Sequence, residues 1–128
     1  MHKIIAFDLD GVLCDRPENL EHLGEKKYEH CFPIAKNIEL VNSLYDKGYY
    51  IKIYTARGMT YFKNNKDLIY NKLFETTKVF LLENKVKFHE LIMGKESYDL
   101  LIDDKALNSE NIELNDKIIN FLNHKEQK

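Results

Sequence analysis

The chain has little cysteine, little arginine and no long apolar run, and each shortage excludes something. Only two cysteines, Cys14 and Cys31, occur in 128 residues, too few for a disulfide framework. With His22 and His30 they are zinc-type residues, but their spacings match no compact ligand pattern. They read as free thiols and solvated histidines. Arginine occurs only at positions 16 and 57, and 19 basic residues against 21 acidic ones leave a net charge of −2. No basic footprint for nucleic acid or an acidic membrane stands out, and neither partner is expected. No stretch of about 18 apolar residues is present, so no membrane-spanning helix is expected. The apolar run before Asp8 is too short for a secretory signal, and the expected compartment is cytoplasmic. Repeats, low-complexity blocks and linkers are absent. What remains, 44% hydrophobic and 31% charged residues, is the composition of an ordinary globular protein. The length suits one domain spanning 1–128, without room for a second, substrate-binding one.

The order of elements predicts an α/β fold. Lys3–Phe7 is a nearly all-apolar run of the kind buried on both faces of a parallel sheet. Residues 14–33 are polar and aperiodic and read mostly as loop. Ile34, Ile38, Val41 and Leu44 recur at helical spacing, with Gly48 placed as a helix-ending glycine. Tyr50–Thr55 reads as a second strand, Asp67–Glu83 as a long helix, Glu90–Met93 as a third strand and Tyr98–Asp103 as a fourth. Leu114–Leu122 is a final amphipathic helix, and a frayed tail is expected over His124–Lys128. Strands alternating with helices imply a Rossmann-like parallel sheet flanked by helices, with ligands outside the carboxyl ends of the strands.

The chemistry-bearing residues fall at those ends. Asp8 and Asp10 follow strand one, Thr55 ends strand two, Lys95 follows strand three, and Asp103 and Asp104 end strand four. Gathering four acids costs several kcal/mol in repulsion unless a cation neutralises them. An oxygen-rich set with few protein ligands suits Mg²⁺. A metal beside a lysine and a hydroxyl points to a bound phosphoryl group. Arg57, directly after Thr55-Ala56, is placed to fork onto a phosphate or carboxylate of a substrate, or to make a surface ion pair. The loop Met59–Phe62 either lines a pocket or packs against the body.

These residues resemble the haloacid dehalogenase superfamily. Asp8-Leu9-Asp10-Gly11 is similar to its first motif, Ile51–Thr55 to its second, Lys95 to its third and Leu100–Asp104 to its fourth, in the same order. The resemblance implies a Mg²⁺-dependent phosphomonoesterase working through an aspartyl-phosphate. Asp8 is then the nucleophile and Asp10 the general acid and base. Thr55 bonds a phosphoryl oxygen, and Lys95 holds Asp8. Asp8, Asp103 and the carbonyl of Asp10 ligate Mg²⁺, with Asp104 behind them. Backbone N–H groups around Leu9–Gly11 and at Ala56 cradle phosphate oxygens.

Members of that superfamily differ mainly in cap insertions, and neither gap between motifs holds one here. A capless core is implied, with residues 14–33 as a small lid or a second copy of the chain as a cap. Thr55–Met59, Gly94–Asp99 and Ile102–Ala106 also resemble small bacterial phosphatases of capsular polysaccharide synthesis. They imply a sugar phosphate or related small metabolite as substrate. A polynucleotide end-phosphatase is the alternative within the superfamily, and the net charge weighs against it. A non-catalytic phosphate-binding module or a receiver domain is the alternative outside enzymology. A receiver places its acid pair first and its lysine last, the reverse of the order here.

Overall fold

The computed structural model describes residues 3–111 and 113–126, with side chains up to Asn123. Its contacts group into two compact units, one up to Ser97 and one from Tyr98 onward.

The first unit is α/β. Strands β1 (Ile4–Phe7), β4 (Tyr50–Tyr54) and β5 (Glu90–Ile92) form a parallel sheet in the order β1-β4-β5. Helix α1 (Ala35–Asp46) lies between β1 and β4 in the chain, and α2 (Lys66–Glu83) between β4 and β5. This is the expected α/β class, a parallel sheet with flanking helices. The core explains the patterning. Ile51 and Ile53 of β4 are fully buried, as are Val41 and Leu44 of α1 and Ile69 and Leu81 of α2. No residue of β1 except Phe7 is buried, and Ile4 is 57% exposed. The expectation of a strand covered on both faces is therefore corrected: β1 lies at an edge of the described sheet.

Two details hold the carboxyl ends of the strands in place. After β1 the chain turns sharply, the Leu9 carbonyl accepting N–H bonds from Val12, Leu13 and Cys14. Buried Asn37, in the first turn of α1, donates to the Val12 carbonyl at 2.7 Å and fixes that turn to the helix. After β4, Gly58 has φ +83°, and a Cβ there would come within 2.5 Å of the Leu73 side chain. Only glycine lets this loop close down on α2.

Residues 14–33 are more ordered than the loop expected. Strands β2 (Cys14–Asp15) and β3 (Phe32–Pro33) pair antiparallel and pinch the base of the excursion. A 3-10 segment, Glu21–Glu29, forms its body, kinked at Gly24 with φ 60° and ψ −135°. The segment has no apolar helical stripe to reveal it. Tyr28 is buried, and Lys27 is held by Glu21 at 2.9 Å.

In the second unit, α3 (Leu114–Glu126) is the helix expected from Leu114, Ile118 and Ile119. It continues through residues 124–126 of the expected frayed tail, while 127 and 128 lie outside the described residues. The expected fourth strand over Tyr98–Asp103 does not form. Leu100 is 77% and Ile102 89% exposed. A strand exists only through ladder hydrogen bonds to a neighbour, and among the described residues no strand pairing includes Leu100–Ile102. Instead the Lys105 N–H donates to Asp103 Oδ1 at 3.0 Å, the local side-chain bond that turns a chain. No helix among the described residues is long and apolar enough to cross a membrane.

Candidate active site

The register Phe7↔Ile53 and Tyr54↔Ile92 brings the carboxyl ends of the three strands side by side. Asp8, Thr55 and Lys95 follow from that placement. A cleft of about 530 Å³ opens there, lined by Asp8, Asp10, Thr55, Ala56 and Arg57 from the strand ends. Arg16, Glu21, Lys27 and Tyr28 of the 14–33 excursion complete it with Thr60 and Tyr61.

Asp8 and Asp10 occupy different electrostatic environments. The Asp8 side chain is 39% exposed. Its Oδ1 accepts the Leu9 N–H at 2.8 Å, and its Oδ2 lies 3.9 Å from Lys95 Nζ. Burial pushes its pKa above the ordinary carboxylate value, against the Leu9 bond and the Lys95 charge. Burial acts in the same direction on Asp10, but two bonds from Arg57 outweigh it and hold that carboxyl below its ordinary value. Arg57 Nε donates to Oδ2 at 3.1 Å and Nη2 to Oδ1 at 2.8 Å.

This fork corrects the expectation for Arg57. Its side chain is 0% exposed, and its planar donors are spent on the protein's own carboxylate. It positions Asp10. The Gly11 amide, expected to cradle phosphate, donates instead to the Cys14 carbonyl at 2.8 Å, with Gly11 at φ +86°. Thr55 is buried, and its hydroxyl accepts the Arg57 N–H at 3.0 Å. In the 59–62 loop both expectations hold: Thr60 and Tyr61 line the cleft while Met59 packs in the core. Asp103 and Asp104 belong to the second unit.

The cysteines were not linked to this site by spacing, because pairing of Cys14 with Pro33 closes the ends of a long excursion on each other. Asp10, Cys14 and Cys31 each place one ligating atom within 4.8 Å of the others and form a candidate metal-binding group. Two sulfurs and one carboxylate suit a softer ion than Mg²⁺. Moreover, Arg57 Nη2 already donates to Cys31 Sγ at 3.1 Å, to Cys14 Sγ at 3.5 Å and to Asp10. A guanidinium holds the cation's place. The group that fits Mg²⁺ is the cleft-facing Asp8 carboxylate, a hard oxygen donor whose charged form burial disfavours and a cation would stabilise.

No protein-family model and no curated protein matches the chain. Solved structures do match its fold. An MCSG target from Vibrio cholerae aligns with a TM-score of 0.73 at 25% identity, over 93% of this chain and 98% of its own. A chain of the Pnkp1/Rnl/Hen1 complex aligns at 0.52 with 17% identity, over 80% of this chain and 31% of its own. A second structure of that RNA repair complex gives 0.52 and 17%, over 77% and 27%. This chain spans less than a third of the latter two, and at that identity they share the fold alone.

The thiol pair gives a direct check on this geometry. A hydrogen bond from Cys14, helped by the Arg57 charge, lowers the Cys31 pKa to about 6. The same bond and burial push the Cys14 thiol upward. The thiolate is the nucleophile, so iodoacetamide is expected to alkylate Cys31 first, with a rate that rises through about pH 6 and then levels. Peptide mass spectrometry of the native protein reads the order. Equal labelling of both cysteines would contradict the arrangement.

Proposed function

We propose that this chain is a Mg²⁺-dependent phosphomonoesterase of haloacid dehalogenase type, acting on a small phosphorylated metabolite. The observation that carries the proposal is the contrast between the two acids of one turn. Asp8 faces the cleft with Oδ2 near Lys95 Nζ, whereas Asp10, two residues on, is locked by Arg57. One acid is free to attack phosphorus, and the other is held to serve the leaving oxygen. Asp8 attacks, the ester bond breaks, and Asp10, protonated as the bound phosphoryl dianion raises its pKa against the Arg57 fork, gives its proton to the departing alcohol. Asp10 then takes a proton from the water that hydrolyses the aspartyl-phosphate and restores Asp8. Lys95 balances the charge that shifts onto and off Asp8. Mg²⁺, when held by Asp8 and the Asp10 carbonyl, neutralises charge on the phosphoryl oxygens. Asp103 as a further ligand, with Asp104 behind it, enters the proposal on the motif alone. A sugar phosphate of polysaccharide synthesis, a cytoplasmic setting and a second copy as cap rest on sequence resemblance.

The likeness to chains of an RNA repair complex favours one second reading, removal of a terminal phosphate from a polynucleotide. A phosphate-release screen over sugar phosphates, nucleotides and end-phosphorylated oligonucleotides separates the two. Turnover of small esters is expected, and it is expected to stop in excess chelator and return with Mg²⁺. Release from oligonucleotides alone would install the second reading. Full activity in chelator would remove the metal from the first.

A further inference from the structure

We infer that the cleft selects phosphomonoesters whose leaving group carries a second anionic group, read by Arg16. The inference rests on the phosphomonoesterase reading and names its substrate class. It starts from the ionic pairing around the cleft. Of the bases that line it, Arg57 is bonded to Asp10 at 2.8 Å and Lys27 to Glu21 at 2.9 Å. Arg16 differs. Its Nη1 is buried yet has no hydrogen-bond partner among the described residues. The nearest carboxylate oxygen, Asp10 Oδ1, is 3.9 Å away and already holds Arg57 Nη2. A buried donor left without an acceptor is costly, and the guanidinium that carries it belongs to a side chain that is 28% exposed and lines an open cleft.

The position of Arg16 says which part of a ligand it meets. Its guanidinium carbon lies 4.6 Å from the centre of the Tyr28 ring, which orients the plane of the group. It comes from the 14–33 excursion and neighbours Asp10, the acid that serves the leaving oxygen. Asp8 and Lys95 are the pair that meets the transferred phosphoryl group. An oxyanion close to the ester oxygen would therefore satisfy Arg16. A guanidinium forks onto a carboxylate and a phosphate alike, so the shared chemistry is the oxyanion. The cleft, about 530 Å³ with Tyr28 and Tyr61 among its lining residues, exceeds what inorganic phosphate alone needs.

Matched esters test this. 3-Phosphoglycerate against glycerol 1-phosphate varies a carboxylate, and fructose 1,6-bisphosphate against fructose 6-phosphate varies a phosphate. The anionic member of at least one pair is expected to be favoured in kcat/KM by about tenfold or more, the scale of a charge-assisted hydrogen bond. Arg16→Gln is expected to bring that ratio to within about threefold, and Arg16→Lys to restore part of it. A wild-type ratio near one in both pairs, or a ratio unmoved by Arg16→Gln, overturns the inference while the phosphatase stands. If no ester is hydrolysed, the phosphatase reading falls. Titration calorimetry with the same pairs then decides the inference, supported by anion-selective binding lost in Arg16→Gln and overturned by equal binding.

Discussion

Replacing Asp8 with Asn is expected to lower phosphate release by about four orders of magnitude or more, the scale on which an enzyme loses its nucleophile. The amide keeps the shape of the side chain and can still accept the Leu9 N–H, now 2.8 Å from Oδ1. It cannot form an acyl phosphate. The fold is expected to survive. Asp8 has its pKa raised, mainly by burial, so its charged form is the disfavoured one in the folded state. That contribution is fully favourable below the unfolded carboxylate value and is lost as pH rises through the folded pKa. At neutral pH the neutral amide removes the penalty, and the melting temperature should hold or rise slightly. Single-turnover phosphate release and a thermal melt on the same sample read the two expectations. Wild-type turnover in Asp8→Asn would end the nucleophile assignment, and an unfolded variant would end the account of its environment.

The parallel sheet and its helices were legible because Ile51 and Ile53, Val41 and Leu44, and Ile69 and Leu73 bury the positions their periods predict. Glycine marked the turns for the same reason, a backbone demand visible in one residue. Asp8, Thr55 and Lys95 come to adjacent strand ends, since their placement is set by topology rather than by local sequence. Pattern could not show which partners those groups choose. Arg57 looked ready for substrate, and its donors go instead to Asp10, Thr77 and both cysteines. Nor could it show the 14–33 excursion, whose order comes from the Cys14–Pro33 pairing and the Lys27–Glu21 bridge rather than from an apolar period. Over Leu100–Ile102 the apolar pattern led to a strand that the structure does not form, because a pattern cannot supply the neighbour a ladder requires.

Arg57→Gln is expected to destabilise the protein by about 3 kcal/mol, the cost of leaving a buried charge without its partner. The Arg57 side chain is 0% exposed and that of Asp10 29%, so water replaces little of what the fork supplied. The loss should depend on pH in a defined direction. Arg57 holds the folded pKa of Asp10 below its unfolded value. The stabilisation is therefore complete above the unfolded value of about 3.9 and fades as pH falls through the folded one. Urea melts of both proteins should converge in strong acid. Catalysis should report the same contact from the other side. A general acid must carry its proton, so kcat/KM falls as pH rises through the Asp10 pKa of the free protein. A dianionic phosphoryl group beside Asp10 raises that pKa, and the fall in kcat is expected at higher pH than the fall in kcat/KM. Without Arg57 the alkaline fall in kcat/KM should itself move to higher pH, which a loss of packing alone would not produce. Arg57→Lys keeps the charge but not the fork; it should recover part of the pH shift and less of the stability. A lysine that restored both would reduce the contact to a point charge, and an alkaline limb that stayed in place in Arg57→Gln would remove Asp10 from the role of acid.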